Sequence, residues 1–132
     1  GSLASIDVAS ANPSYSGLDG VLFDKPQQTL IQYPGGRVGT YHIPGSVIFI
    51  SKLAFSECPG LTQVMVPARV SRIGGSAFAF SKSLVIVTFA GDAPHADPEV
   101  YGNADHWTAF YYPGTKGWGK TFAGRPAVPL QR

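Results

Sequence analysis

The residues with the best chemistry for binding a metal ion lie in one stretch of this sequence. In chain order they are Asp92, His95, Asp97, Glu99, Asp105 and His106. Imidazole and carboxylate groups are ligands that zinc and copper accept. The spacing fits no closed ligand set, and Pro94 and Pro98 indicate a loop. We therefore expect a solvated loop without a metal ion, and a metal site in this stretch is the alternative.

Arrangements typical of nucleophilic catalysis are missing from the sequence. There is no Gly-x-Ser-x-Gly motif, which would place a serine on a strained turn. Cys58 lies where a repeat would bury a small apolar group, whereas a catalytic thiolate needs an exposed, electropositive setting and a base. Asp19 and Asp24 lack the apolar surroundings that would separate their pKa values, so glycosidase chemistry is unsupported. We predict no catalytic residues and no cofactor.

Composition restricts the class of protein. The chain has 132 residues, of which 44% are apolar and 14% charged, with a net charge of +2. This length suits one domain with one core, and the apolar content excludes a disordered chain. Lys and Arg are scattered, so the clustered basic face that nucleic acid requires is absent. The longest apolar run, 47–50, is far shorter than the ~20 residues of a membrane span.

A period of 23 residues organises the middle of the chain, and a fixed period indicates a repeat architecture. One dipeptide recurs at this interval as Ile43-Pro44, Val66-Pro67, Phe89-Ala90 and Tyr112-Pro113. Seven more positions match between the first two units: Val47/Val70, Ile50/Ile73, Ala54/Ala77, Phe55/Phe78, Cys58/Ser81, Leu61/Leu84 and Val64/Val87. The third unit is degenerate, with Trp107 at the leucine position and Phe110 at the valine position.

The repeats predict a solenoid, because one unit has too little apolar surface to fold alone and stacked units share a core. Val64 and Val66 pointing inward, with Met65 outward, have the period of two of a strand. The segment 53–55 is expected to form a tight turn that buries Phe55. No window has a helical period of useful length. The predicted fold class is therefore a mainly β solenoid of short, leucine-rich-like repeats.

The ends of the array differ from its middle, as capping units should. Two apolar runs flank the loop 25–28 and predict a β-hairpin. Tyr112-Pro113-Gly114 opens a segment expected to cover the last repeat with Trp118 and Phe122. Gly1-Ser2 looks like a cloning remnant. The predicted boundaries are 1–14 for this remnant and an N-terminal segment, 15–127 for the domain (hairpin cap 18–42, repeats 43–111, C-terminal cap 112–127) and 128–132 for a tail.

The repeat pattern resembles the BspA-type leucine-rich repeats of bacterial surface proteins. It reads Ile-Pro-x-x-Val-x-x-Ile-x-x-x-Ala-Phe-x-x-Cys-x-x-Leu-x-x-Val and is carried by Ile43, Pro44, Val47, Ile50, Ala54, Phe55, Cys58, Leu61 and Val64. The flanks 19–23 and 112–118 are similar too, so the resemblance covers about residues 15–127. It implies a secreted or cell-surface protein of adhesion and recognition without shared catalytic residues. The sequence departs from the pattern at Arg69, at Ser81 and throughout the third unit.

Residues 23 apart are expected to stack into columns on the outside of the solenoid. One column would be His42, Met65, Thr88 and Tyr111, and its neighbour Thr40, Gln63, Ile86 and Ala109. A solvated sheet face should be mainly polar, yet Met65, Ile86 and Tyr111 are not, and exposed apolar patches often mark interaction sites. The alternatives are that the caps cover these residues or that the inward and outward positions are interchanged.

Aromatic residues near the C-terminal end offer a second candidate surface, since their faces stack on sugar rings. They are Trp107, Tyr111, Tyr112 and Trp118. The competing interpretation is that Trp107 fills the core and Trp118 the cap. The two surfaces together give the predicted binding residues His42, Gln63, Met65, Ile86, Thr88, Tyr111 and Trp118.

The sequence therefore predicts a non-catalytic recognition module that binds a protein or glycan ligand on an exposed solenoid face. The first alternative is a carbohydrate-binding module attached to a secreted polysaccharide-active enzyme, and the second is a metal-dependent or hydrolytic enzyme. Expected partners are a protein or a polysaccharide, with fusion to other domains compatible with the sequence. Nucleic acid and a membrane span are not expected.

Overall fold

The computed structural model describes residues 5–6, 8–9, 11–18, 20–96, 107–122 and 125–130. In these ranges the chain forms strands and no helix. The strands are β1 (Tyr15–Leu18), β2 (Val21–Asp24), β3 (Thr29–Gln32), β4 (Val38–His42), β5 (Phe49–Ile50), β6 (Gly60–Val66), β7 (Arg72–Ile73), β8 (Ile86–Phe89), β9 (His95–Ala96), β10 (Thr108–Tyr111), β11 (Thr121–Phe122) and β12 (Arg125–Pro129).

The N-terminal cap is an antiparallel hairpin of β2 and β3, as the sequence predicts. Its loop is closed by Asp24, whose Oδ1 accepts hydrogen bonds from the backbone N–H groups of Gln28 (2.8 Å) and Thr29 (3.0 Å). Phe23 is fully buried beneath the hairpin. Strand β1 adds a third antiparallel strand outside β2. Strand β1 was not predictable, because residues 15–18 lack the apolar alternation of a half-buried strand.

Beyond the hairpin, successive coils of the chain stack in parallel. Two sheets of six strands result. The one with the shorter strands, which we call the smaller sheet, has the order β1-β2-β3-β5-β7-β9. The other, which we call the larger sheet, has the order β11-β12-β10-β8-β6-β4. Each coil gives one short strand to the smaller sheet and one strand to the larger sheet. The apolar faces of both sheets point into a single core. The molecule is thus a β-solenoid of about three turns, which confirms the predicted fold class.

Tight turns connect the two sheets along one side of the solenoid, at 52–57 and 75–80. We call this side the turn edge. The turns stack directly, since the backbone N–H of Phe55 donates to the carbonyl oxygen of Ala77 over 2.7 Å. Phe55 and Phe78, one from each turn, are both fully buried. The prediction that the 53–55 segment turns a phenylalanine into the core is therefore confirmed.

An aromatic ladder runs along the core with one ring from each coil. The ring centroids of Tyr33 and Phe55 are 5.3 Å apart, those of Phe55 and Phe78 are 5.4 Å apart, and those of Phe78 and Trp107 are 5.6 Å apart. Pairs of this kind contribute ~0.5–1.5 kcal/mol beyond the burial of their area. Each ring is covered by rings of adjacent coils, so the stability of one coil depends on the presence of the next.

The structure differs from two expectations about the chain outside the regular repeats and adds one contact. Val128 and Pro129, which the predicted boundaries place in a tail, belong to β12, and β12 pairs with β10. The loop expected around His95 contains the strand β9, which pairs with β7. The N-terminal segment also contacts the cap, where the Ile6 N–H donates to the Gly20 carbonyl over 2.7 Å.

Candidate functional site

The larger sheet presents the surface on which the sequence places most binding residues. On β6, Leu61, Val64 and Val66 are buried, while Gln63 and Met65 are partly exposed. This is the predicted alternation of inward and outward side chains. Met65 therefore faces out of the solenoid, as its place in the repeat requires.

Strand pairing aligns these outward residues into two columns, which together we call the outer face. One column contains Thr40, Gln63, Ile86 and Thr108, and the other contains His42, Met65, Thr88, Phe110 and Val128. Five of the seven predicted binding residues therefore lie side by side, on adjacent strands. Adjacent strands are ~4.8 Å apart, so the members of a column are close enough for one ligand to contact them all.

Two members of the predicted columns lie elsewhere. Ala109 is opposite Val87 and fully buried, and Tyr111 is opposite Phe89 and packs against the core. Thr108 and Phe110 take their places on the outer face. In the larger sheet the step into the last coil is therefore 22 residues, one fewer than the predicted 23.

The physical reason for this shift is a missing residue before β10. In the second repeat, Leu84 and Val87 are both buried and are three positions apart. In the last coil, Trp107 and Ala109 are both buried and only two positions apart. The period of two through Trp107, Ala109 and Tyr111 was the signal that could have revealed Phe110 as an outward residue.

The outer face carries no acidic, lysine or arginine side chain and mixes apolar with polar side chains. The strands β4, β6, β8 and β10 contain no Asp, Glu, Lys or Arg. Met65, Ile86 and Phe110 are half-buried, and Val128 is exposed at the next strand. Thr88 is only 7% exposed, so neighbouring side chains already cover most of it. A ligand would meet apolar surface, hydroxyl and amide groups, with His42 as the one titratable side chain among the residues of the outer face.

A shallow groove of about 120 Å³ adjoins the outer face where the strands end. It is lined by His42, Ile43, Met65, Val66, Pro67, Thr88, Ala90 and Tyr112. Pockets for drug-sized ligands have volumes of ~300–1,000 Å³. This groove is therefore the size for a single side chain of a larger partner. Tyr112, which is 40% exposed, is a lining residue that belongs to neither predicted column.

Trp118 and Tyr111 lie away from the outer face, in an aromatic cluster at the C-terminal cap. Their rings stack at 4.8 Å with an interplanar angle of 1°. Phe89 and Phe122 also contact Trp118, with centroids 5.0 and 5.2 Å away. The Trp118 Nε1–H donates to the Gly91 carbonyl over 3.3 Å. The Trp118 ring is therefore packed within the cap, and Trp107 is fully buried in the aromatic ladder. Neither ring is presented for stacking on a ligand.

Cys58 lies in an environment that suppresses thiol reactivity. The side chain is fully buried, and desolvation is the main reason that the pKa of the thiol rises to about 11. Nucleophilic cysteines have lowered pKa values and partial exposure. The structure therefore agrees with the expectation that Cys58 packs as a small apolar group.

The stretch considered for metal binding is only partly described, since 97–106 lies outside the described ranges. Of its remaining members, His95 is exposed on β9, and Asp92 Oδ1 accepts a 2.8 Å hydrogen bond from the Lys116 N–H. Within the described ranges, no group of three or more His, Cys, Asp or Glu is arranged to hold a metal ion.

Comparison with solved structures places the chain among repeat solenoids. It superimposes on a pneumococcal vaccine antigen, PcpA, with a TM-score of 0.66 and 19% identity, over 96% of this chain and 29% of that chain. It also superimposes on a leucine-rich repeat protein from Eubacterium ventriosum with a TM-score of 0.55 and 16% identity, over 96% of this chain and 42% of that chain. The chain thus has a leucine-rich-repeat-like fold and spans less than half the length of either neighbour.

No protein-family model matches the sequence, and neither does any curated protein. The resemblance to BspA-type repeats therefore rests on the repeat residues themselves. In the described part of the chain, no helix has the length and apolar character to cross a membrane.

Proposed function

We propose that this protein is a recognition module whose outer face binds a protein ligand. The observation that carries the proposal is a sheet face without charged residues on four adjacent strands, on which Met65, Ile86 and Phe110 lie on neighbouring strands in the position where a solvated sheet would carry charged residues. Exposed apolar patches of this kind mark interaction sites in soluble proteins. The hydrogen-bonded strands hold the side chains of the outer face in place, so these side chains do not have to be ordered on binding.

The composition of the outer face favours a protein over a charged polymer. Met and aromatic residues are enriched at the centres of protein interfaces, whereas Lys, Glu and Asp are depleted there. Met65, Ile86 and Phe110 are the anchors, and the groove beside His42 and Tyr112 accepts one side chain of the ligand. Without charged groups, association lacks electrostatic steering and depends little on salt.

The proposal is tested by a double variant, Met65→Glu with Ile86→Glu, in a pull-down with surface proteins of the parent organism. Two carboxylates placed among apolar anchors would be desolvated by a protein ligand, and we expect binding to fall by more than ~10-fold. The matched control is Phe49→Glu, which changes an exposed aromatic residue on the smaller sheet. Equal capture by wild type, double variant and control would contradict the assignment of the outer face.

A glycan ligand is the second candidate, and Tyr112 is the observation that favours it. Its ring is exposed beside the groove and could stack on a sugar ring. The rest of the predicted aromatic surface is engaged in the core and cap. Retention on a polysaccharide column that is lost on Tyr112→Ala would favour the glycan over the protein.

The absence of catalysis and the extracellular location are parts of the same proposal. The buried, unreactive thiol of Cys58 supports the absence of catalysis by a cysteine nucleophile. For the second, one solved neighbour is a vaccine antigen, which supports a place on a cell surface or in secretion. The repeat resemblance of the sequence supports the same location.

A further inference from the structure

The turn edge carries a second surface, separate from the outer face. Glu57, Pro59, Phe80 and Lys82 line an open groove there, with a volume of about 510 Å³. The groove spans two successive coils, which are joined at this point because the Glu57 N–H donates to the Ala79 carbonyl over 2.8 Å. The walls of the groove are thus fixed by the same backbone bonds that stack the coils.

The turn does not require a phenylalanine at position 80. Its side chain is 49% exposed, and its φ of 62° lies in the left-handed region that favours glycine and asparagine. A glycine or asparagine would fit this backbone better and would leave no aromatic ring in water. Leu53, Glu57 and Ser76 have the same left-handed backbone, so the conformation belongs to the turns, and the exposed ring is the feature that the turn does not require.

The two charged residues of the groove have no ion-pair partner among the described residues. Glu57 and Lys82 are both exposed: Glu57 has the position equivalent to Phe80 in the preceding coil, and Lys82 follows Phe80 by two residues. A patch with one acid and one base flanking an aromatic ring is complementary to itself. When a second copy is turned by 180°, each Glu57 faces a Lys82 and the two Phe80 rings meet near the axis.

We propose that this groove is a self-association site, at which two copies of the chain pair about a twofold axis. The contact is isologous, so the same residues serve both copies. A stable dimer buries ~800 Å² on each partner, which is more than four residues supply. The association is therefore weak and reversible, and it weakens as salt concentration rises because exposed charges are screened.

Sedimentation equilibrium over a concentration series tests the pairing with charge-reversal variants. Glu57→Lys alone and Lys82→Glu alone each place like charges opposite one another, so each should weaken association by at least ~10-fold. An equimolar mixture of these two variants restores both attractive contacts and should associate as wild type does. Lys52→Glu, at an exposed lysine earlier in the same turn edge, is the control and should behave as wild type.

A further variant separates association from folding. Phe80→Asn suits the left-handed backbone, so the melting temperature should stay level or rise while association is lost. The proposal is overturned if wild type remains monomeric at every concentration, if the single variants associate normally, or if their mixture stays monomeric. Retained association in Phe80→Asn would also overturn it.

Discussion

Ser81 joins two neighbouring coils through one buried hydroxyl group. Its Oγ accepts a hydrogen bond from the Cys58 N–H over 3.1 Å and donates to the Phe55 carbonyl oxygen. The side chain is fully buried, so water cannot replace either bond. A serine at this repeat position is therefore compatible with the core because both of its hydrogen-bonding roles are satisfied within the protein.

Replacing this hydroxyl tests its contribution directly. Ser81→Ala leaves the Cys58 N–H without the acceptor that it has now, and we expect a loss of ~1–3 kcal/mol in the free energy of unfolding. Urea denaturation monitored by tryptophan fluorescence measures the change. Ser83→Ala, at an exposed serine two residues later, is the control and should change stability by less than ~0.5 kcal/mol. Equal behaviour of both variants would contradict the bridging role.

Single residues differ in how much the sequence reveals about them. The equivalence of Cys58 and Ser81 follows from the 23-residue period, and so does their burial. The hydrogen bond of Ser81 to Phe55 could not be predicted, because it joins groups 26 residues apart in the chain and depends on how the coils stack. Met65 and Ile86 were predictable as outward residues because a strand has a period of two.

Among the strands and turns, Gly74 sets how closely two coils approach. A Cβ atom added there would overlap with the backbone nitrogen of Lys52 in the preceding coil. The backbone cannot move away easily, since the Gly74 N–H donates to the Ile50 carbonyl over 2.8 Å. The glycine is therefore required by the spacing between coils.

Gly74→Ala should destabilise the protein by ~1–3 kcal/mol, the usual cost of overpacking. Gly45→Ala is the matched control, because a Cβ atom at Gly45 would have no neighbour within 4 Å and φ there is not positive. Differential scanning calorimetry of the two variants measures the difference. A Gly74→Ala protein that melts at the wild-type temperature would show that the coils can separate without cost.

The strands follow the sequence where the repeats are regular and depart from it at the ends. The hairpin of β2 and β3 was predictable from two apolar runs around a turn. Strand β12 was not, because Pro126 and Pro129 remove backbone donors and argue against a strand. Strand β12 nevertheless forms, since the Ala127 N–H donates to the Lys120 carbonyl oxygen and the Leu130 N–H donates to the Tyr111 carbonyl oxygen. The register of β10 was missed because the degenerate coil is shorter by one residue in this region.

For the whole molecule, the division between interior and exterior explains both stability and function. The aromatic ladder and the apolar residues of both sheets fill the core, so only the surfaces are free to bind. We propose two such surfaces: the outer face for a protein ligand and the turn edge for a second copy. The sequence predicted the first in part, and it missed Phe110 and Val128 because they depend on the register of the last coil.

The stacking of coils around one core is tested most directly by two phenylalanines in the same turn. Phe78 is fully buried in the ladder, whereas Phe80 is 49% exposed on the turn edge. Phe78→Ala should lower the free energy of unfolding by ~3–5 kcal/mol, and Phe80→Ala should change it by less than ~0.5 kcal/mol, both measured by urea denaturation of dilute protein. Equal losses in the two variants, or wild-type stability in Phe78→Ala, would contradict the stacked-coil account.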